Sequence, residues 1–413
     1  MKVLFLQDHF STGGAARAAN RFASGLRKQG VQVAVAAGDL AGSPEDYLIT
    51  GKPKRGWGRV REFLQDADSK KKARQNRAIH AWTEAIHDFR PDLIWIHNLQ
   101  GACKWGWNLA MVNQAMSSAP VLWTLHDMWA LGDGPSYFSE KELAMRRGKS
   151  ALASLSPAIK RGPHMLLTPS MWLRNLVLSV DVGPCETWAN PLDLETFHPG
   201  LREKTRLELG LREGEILLLA AAENLSDPRK GISLLADAWK RIRLRDHVRL
   251  ALVGRNCPGV LVEDPKVVTL GPVTAETRVA ELMSAADLFL HPAKMESYGL
   301  VLEEALACGT PVLAGAGSGM SEVMQGNPTG WQLHDWTEMQ LASLLEKILA
   351  DPHHLRSVRP AAREAMEQKH STEKFLSRWN LLLNSLEQLK SGDRASNHTK
   401  KLSAGPAKSG LNS

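Results

Sequence analysis

The chain has no Cys-x-x-Cys pair and no metal-ligand spacing; its four cysteines, Cys103, Cys185, Cys257 and Cys308, are scattered. Thiols placed in this way read as reduced and mostly structural, so neither a disulfide nor a zinc site is expected. No apolar run approaches the roughly eighteen residues of a membrane span. Met1-Lys2 leads directly into a strand-like Val3 to Gln7 that Asp8 and His9 interrupt, too short a stretch for a secretory leader, and a cytosolic location is expected. No Ser-His-Asp arrangement, metal-binding Asp-x-Asp or P-loop is seen, which sets aside nucleophilic hydrolysis, metal-assisted transfer and Walker-type phosphate binding as first readings.

What is present is ordinary globular material: 413 residues, 43% hydrophobic and 23% charged, enough for two α/β domains with sizeable cores. The net charge of +7 is uneven. Between Lys52 and Arg77 ten basic residues face only Glu62, Asp66 and Asp68. That segment reads either as a solvated loop and helix face or as an anionic-membrane contact in which Trp57, Val60, Phe63 and Leu64 dip into the surface. It carries no nucleic-acid-binding motif, and no nucleic acid partner is expected.

Strands and helices alternate through the first half in the manner of an open parallel sheet. Val3 to Gln7, Val31 to Ala37, Leu93 to His97, Val121 to His126, Met165 to Thr168 and Glu186 to Ala189 read as strands. A helix follows Gly14, and others lie near Ala78 to Phe89, Trp107 to Met116 and Ser170 to Ser179. The alternation breaks at Asn190-Pro191, the expected interdomain crossing. Beyond it Ile216 to Ala221, Arg249 to Val253, Val267 to Leu270, Asp287 to Leu290, Pro311 to Ala314 and Gly330 to Leu333 form a second set of strands, with a helix over Ile232 to Arg241 and a final one near Glu373 to Leu389. The expected division is 1–190, a Rossmann-like acceptor domain; 191–370, a Rossmann-like donor domain; 371–389, a helix packing back on the first domain; and 390–413, a polar disordered tail.

The most informative stretch is Met295-Glu296-Ser297-Tyr298-Gly299-Leu300-Val301-Leu302-Glu303-Glu304, followed by Ala307-Cys308-Gly309-Thr310-Pro311. It reads as strand, loop, helix, strand. The free N–H groups and positive dipole end of such a helix suit a phosphate, and Gly299 lets the backbone approach it. Glu296 in the loop and Glu304 about 7.5 Å along the helix axis span a diphosphate with a sugar at each end, and carboxylates accept well from vicinal hydroxyls. Two solvated helix-end glutamates are the plain alternative.

This stretch resembles the signature of retaining glycosyltransferases of family 4, whose GT-B architecture sets two Rossmann-like domains face to face. The resemblance implies Glu296 at the donor sugar, the amides of Ser297, Tyr298, Gly299 and Leu300 at the diphosphate, and Glu304 at the nucleoside ribose. In Pro228-Arg229-Lys230-Gly231 it places Lys230 on the leaving diphosphate; an earlier family arginine falls at Glu223 or Asn224, so Arg229 is the candidate substitute. It sets the loop at Gly13 and Gly14 against the donor phosphates and acceptor. His126-Asp127-Met128-Trp129 is similar to the His-Asp-x-Trp of exopolysaccharide-type members, which implies His126 at the donor sugar; His97 is a weaker acceptor-contact candidate. Asn190 to Pro199 resembles the family's linker, with Pro191 where glycine is usual.

The expectation is a metal-independent, cofactor-free, retaining hexosyltransferase. It would move sugar from a nucleotide-diphosphate donor to a glycan or polyprenyl-linked acceptor in exopolysaccharide or cell-surface glycan assembly, in the cytoplasm or peripherally at the inner membrane face through residues 52–77. Its rivals are a GT-B epimerase or phosphorylase and a non-catalytic sugar-nucleotide-binding or membrane-scaffolding protein. A nicotinamide-dependent oxidoreductase ranks below them, because no acidic residue sits some twenty positions beyond the glycines at 315–319 in a suitable βαβ unit.

Overall fold

The computed structural model describes residues 1–391 except 11–12, 40–44, 51, 53–65, 101–102, 104–105, 133–135, 140–141, 144, 146–149, 201, 243–245 and 326–328. Residues 53–65, half of the basic stretch 52–77 and the half that holds Trp57, Val60, Phe63 and Leu64, and the tail beyond 391 therefore lie outside the described residues. No described helix is long and apolar enough to cross a membrane.

Two parallel sheets organise the chain, one in each lobe. The N-terminal sheet holds β1 (Lys2–Gln7), β2 (Gln32–Ala37), β3 (Tyr47–Leu48), β4 (Leu93–Ile96), β5 (Val121–Thr124), β6 (His164–Thr168) and β7 (Cys185–Thr187), in the order β3-β2-β1-β4-β5-β6-β7. Its helices are α1 (Gly14–Lys28), α2 (Ala67–Phe89), α3 (Leu109–Ser118), α4 (Ala151–Arg161) and α5 (Met171–Leu178). The C-terminal sheet holds β8 (Ile216–Asn224), β9 (Val248–Arg255), β10 (Val267–Thr269), β11 (Leu288–His291), β12 (Val312–Gly315) and β13 (Gly330–Leu333), in the order β10-β9-β8-β11-β12-β13. Around it lie α6 (Arg202–Glu208), α7 (Ile232–Arg241), α8 (Gly259–Val262), α9 (Glu276–Ala285), α10 (Leu300–Ala307), α11 (Met320–Met324), α12 (Glu338–Leu349), α13 (Pro352–Ser357) and α14 (Arg359–Lys369). This is the two-lobed Rossmann-like arrangement expected from the sequence.

The strands form where they do because both faces are covered. All four residues of each of β4, β5 and β11 are buried, the mark of interior parallel strands sandwiched by helices. Helix α1 turns Ala16, Ala19, Phe22, Ala23 and Leu26 inward, and side chains of Asp66, Asn108, Ser150 and Ser170 cap α2 to α5 by accepting from backbone N–H groups. Helix α2 starts at Ala67, eleven positions before the expected Ala78. Its first turns carry Lys70, Lys71, Lys72, Arg74 and Arg77 and no fully buried side chain before Ala78, so an apolar stripe marks only the second half. The short β3 and the helix α4 were not expected.

The chain crosses between lobes twice. Trp188 packs in the N-terminal core while Leu192 and Phe197 pack in the C-terminal one. On the return, Met366 belongs to the C-terminal core, and α15 (Thr372–Ser391) lays Trp379, Leu382 and Leu386 against Val3, Phe5 and Trp95. Trp379 stacks on Trp95 with ring centroids 6.0 Å apart.

In each sheet the strand order reverses once, between β1 and β4 and between β8 and β11. Crevices at such reversals, outside the carboxyl ends of the strands, are where open α/β sheets bind ligands. Tyr137 in the segment after β5 and Ser170 after β6 meet Arg229 after β8 and Glu296 and Ser297 after β11.

Candidate active site

The C-terminal face carries the charges. Lys230 sits in a single 3-10 turn, Pro228–Lys230, after β8, and Glu296 lies in the loop after β11. The Lys230 ammonium is paired directly with Glu296 Oε1, and His291 Nε2 stands 3.5 Å from the same oxygen. Burial pushes the Glu296 carboxyl upward, but the His291 imidazole and the Lys230 charge outweigh it and hold the group well below its ordinary range. Glu296 is therefore a carboxylate throughout neutral pH. Gly231 closes the turn with φ 72°, and a Cβ there would lie 1.9 Å from the Pro292 carbonyl oxygen, so glycine lets the Lys230 turn sit directly on the β11 loop.

Gly299, at φ 95°, caps α10, whose N-terminus follows Glu296. The Tyr298 side chain turns away from the cleft into the lobe: its hydroxyl donates to Glu303 Oε1 at 2.5 Å, beside Lys369 Nζ at 2.8 Å and His370 Nε2 at 3.2 Å from that oxygen. Of Tyr298, only the backbone is left for the cleft. Arg229 is tied to Asp227, donating to Oδ2 at 2.6 Å, and its guanidinium lies 4.7 Å from the ring centroid of Tyr137 in the other lobe.

Glu304 stands on α10, fully buried at the lobe interface. Arg21 of α1 donates to Glu304 Oε1 at 2.8 Å and to Glu276 Oε1 at 2.8 Å, and Arg17 approaches Glu304 at 3.4 Å. The carboxylate that the resemblance assigns to a ribose is thus held by two arginines of the opposite lobe. Five further hydrogen bonds cross the cleft. Ser297 N–H donates to the Tyr137 hydroxyl and that hydroxyl donates to Glu296 Oε2, each at 3.4 Å. Ser170 Oγ donates to the Ser297 carbonyl at 2.6 Å. The Glu322 carboxylate accepts from Met171 N–H at 2.8 Å and Trp172 N–H at 2.7 Å, capping α5 from across the interface.

The N-terminal face is neutral by comparison. His126, after β5, is 8% exposed, and burial lowers its pKa to about 4. His97, after β4, is 1% exposed and lies behind it, Nδ1 to His126 Nε2 at 2.8 Å, so His97 reaches the cleft through His126 rather than as a surface contact. Asp127 is pushed up to about 6, mainly by burial. Gly13, at φ 92°, and Gly14 are exposed at the start of α1, with open space around them. A small cavity lined by His97, Asn98, Trp123, His126, Asp127 and Trp129 measures about 10 Å3, room for one water. Among the described residues no cluster of His, Cys, Asp and Glu could hold a metal ion.

The structure brings Lys230, Arg229, Glu296 and the start of α10 together after β8 and β11, with Glu304 reached from α1. Sequence reasoning did not find Arg17, Arg21, Tyr137 or Glu322. The four-residue spacing of Arg17 and Arg21 on one amphipathic helix was the available signal for the first two.

A sequence profile described as Glycosyltransferase Family 4 matches residues 12–196, and one described as Glycosyl transferases group 1 matches residues 216–351. The chain belongs to glycosyltransferase family 4. Within this family it is 33% identical over 216 residues to the D-inositol 3-phosphate glycosyltransferase of Gordonia bronchialis, covering 47% of this chain and 46% of that one. It is 26% identical over 275 residues to the N-acetyl-alpha-D-glucosaminyl L-malate synthase of Bacillus anthracis, covering 63% and 67%. The chain spans about half the length of most of the curated relatives it matches. In fold it is similar to sucrose-phosphate synthase from Thermosynechococcus elongatus, with TM-score 0.74, 20% identity and coverage of 94% and 99%. It is also similar to Anabaena HepE in complex with UDP-glucose, with TM-score 0.67, 18% identity and coverage of 95% and 99%. These likenesses make the GT-B fold of this family 4 chain plain.

Proposed function

We propose that the chain transfers a hexosyl group from a nucleotide-diphosphate sugar to a hydroxyl of a glycan or polyprenyl-linked acceptor, retaining the anomeric configuration and using no metal. The observation that carries this reading is the Lys230–Glu296 pair at the β8/β11 reversal, beside the N-terminus of α10 and hydrogen-bonded across the cleft by Tyr137. In this reading the pyrophosphate lies between Lys230 and the amides at the start of α10, which take up the charge that grows as the glycosidic bond breaks. Glu296 and His126 hold hydroxyls of the sugar on either side. The acceptor hydroxyl adds to the anomeric carbon from the face the phosphate leaves, and its proton passes to a departing phosphate oxygen. Lys230 and those amides supply the positive field a divalent ion would otherwise provide.

The bound UDP-glucose named for HepE makes that sugar nucleotide the first donor to try. The relatives named for inositol 3-phosphate and L-malate favour a second reading, in which the acceptor is a small soluble alcohol rather than a lipid-linked glycan at the inner membrane face. Thermal-shift screening against UDP-, GDP- and ADP-sugars, followed by turnover with and without chelator and product anomer analysis, tests the proposal. A stabilising donor, turnover indifferent to chelator and a retained anomer are expected. Epimerised donor without acceptor, an inverted product or a strict divalent requirement would overturn it.

A further inference from the structure

One buried group is not used by this reading. His97 ends β4 with its ring stacked on Phe5 at 5.5 Å and 11° between planes, and on Trp95 at 5.6 Å and 23°. Its Nδ1 lies 2.8 Å from His126 Nε2, and its own Nε2 is buried with no hydrogen-bond partner. Burial keeps both rings neutral: it lowers His97 well below the ordinary histidine range and His126 to about 4. Two neutral imidazoles joined by one N–H···N bond place one proton between the facing nitrogens, so their tautomers are coupled.

In one arrangement His97 Nδ1–H donates, His126 Nε2 accepts, and the proton of His126 sits on Nδ1. In the other, His126 Nε2–H donates, His126 Nδ1 is bare, and His97 carries an N–H on Nε2 with nothing to accept it. The stacked Phe5 and Trp95 rings lie nearly parallel to the imidazole, so their π faces do not receive an in-plane N–H. Buried N–H groups without acceptors are rarer than under-satisfied acceptors, which favours the first arrangement.

We infer that His97 is a positioning residue that, by donating from Nδ1 to Nε2 of His126, holds His126 as the Nδ1–H tautomer and so gives the cleft a neutral hydrogen-bond donor suited to a hydroxyl oxygen of the transferred sugar. This rests on the reading of His126 as a donor-sugar contact. The tautomer itself is independent of that reading.

Histidine-selective 15N NMR of the full chain without ligand reads the tautomer directly. The expected spectrum has His126 with a protonated Nδ1 and an unprotonated Nε2; the reverse pattern overturns the inference whatever the enzyme transfers. Kinetically, His97→Phe is expected to weaken binding of the nucleotide-sugar about tenfold, the loss of one hydrogen bond, while leaving the affinity for the nucleoside diphosphate alone unchanged. His97→Asn, whose amide can donate from nearly the same place, is expected to restore most of the loss. Equal weakening for diphosphate and sugar nucleotide, or no rescue by Asn, would make His97 a packing residue only. If the Phe variant does not fold, the wild-type spectrum still decides. If the expected tautomer is seen but no sugar nucleotide binds, the donor reading fails and the lock stands.

Discussion

The two faces of the cleft occupy the same place in the same fold and are built from opposite chemistry. At the β8/β11 reversal the C-terminal lobe offers Lys230, Glu296, His291 and Arg229, with Glu304 behind them. At the β1/β4 reversal the N-terminal lobe offers two neutral imidazoles backed by Phe5, Phe22 and Trp95, with the Asp127 carboxyl beside them. Strand order fixes where a ligand can lie. The side chains at the strand ends divide that place into an end rich in ion pairs and an end dominated by imidazoles and aromatic rings, which suits the activated sugar of the proposed reaction.

The sharpest way to break this comparison is to remove the charges on one side. Lys230→Ala and Glu296→Ala are each expected to lower turnover by roughly 10²–10³, the scale of losing one preorganised electrostatic contact, with the fold retained in circular dichroism. Lys230→Ala leaves Glu296 facing His291 and Tyr137, with the Arg229 charge farther off. If both variants turn over at the wild-type rate in a steady-state assay, the charged face is structural and the division proposed here is wrong.

Next in size is the contact that joins the faces. Arg21 is 8% exposed at its side chain and bridges Glu304 and Glu276, while Glu304 is fully covered. Arg21→Met leaves a buried carboxylate with only Arg17 at 3.4 Å, and a loss of about 3 kcal/mol in unfolding free energy is expected. Denaturant titration measures it, and adding Glu304→Gln to the Arg21 variant should recover much of the loss, because the unpaired charge is then gone. If the two losses simply add, the arginine and carboxylate are not coupled.

Acid should separate the lobes by window rather than by size. His97, His126 and His164 are neutral in the fold below the pH at which the unfolded chain takes up protons, with His126 and His164 lowered to about 4 by burial. Their contribution is full above about pH 6.5 and is lost as pH falls toward 4. Asp127, raised to about 6, acts in the opposite sense over part of that interval and offsets one of the three. In the C-terminal lobe Glu303, pulled down to about 2 by His370 and Lys369 against its burial, and Glu296, also lowered, contribute fully above about 4.5 and lose this as pH falls further. Hydrogen exchange at pH 5 is therefore expected to show weakened protection in the N-terminal sheet while the C-terminal sheet is unchanged. The reverse order would refute the assignment of neutral and charged cores.

Much of this architecture was legible because it is local. Buried parallel strands write themselves as unbroken apolar runs, and Glu296, Gly299 and Glu304 fall within one strand–loop–helix unit. What escaped is long-range. Arg21 and Glu304 are 283 positions apart, and Tyr137 and Glu296 are 159 apart. No spacing rule connects residues that only the meeting of two lobes brings together. The first turns of α2 escaped for a different reason: they bury too little to leave a stripe.

The smallest effect is the most discriminating. Tyr137 reaches from the neutral lobe onto the charged one, its hydroxyl against Ser297 N–H and Glu296 and its ring beneath Arg229. Burial and the carboxylates of Glu296 and Asp127 raise the phenol well above its ordinary range, so it stays protonated and donates. Both of its hydrogen bonds are 3.4 Å long and correspondingly weak. Tyr137→Phe keeps the ring and should change donor KM by no more than about fivefold, within 1 kcal/mol. Tyr137→Ala also removes the cation–π contact, about 0.5–1 kcal/mol more. A hundredfold fall in kcat from the Phe variant alone would mean the phenol takes part in bond breaking, and the N-terminal lobe would then contribute chemistry as well as shape.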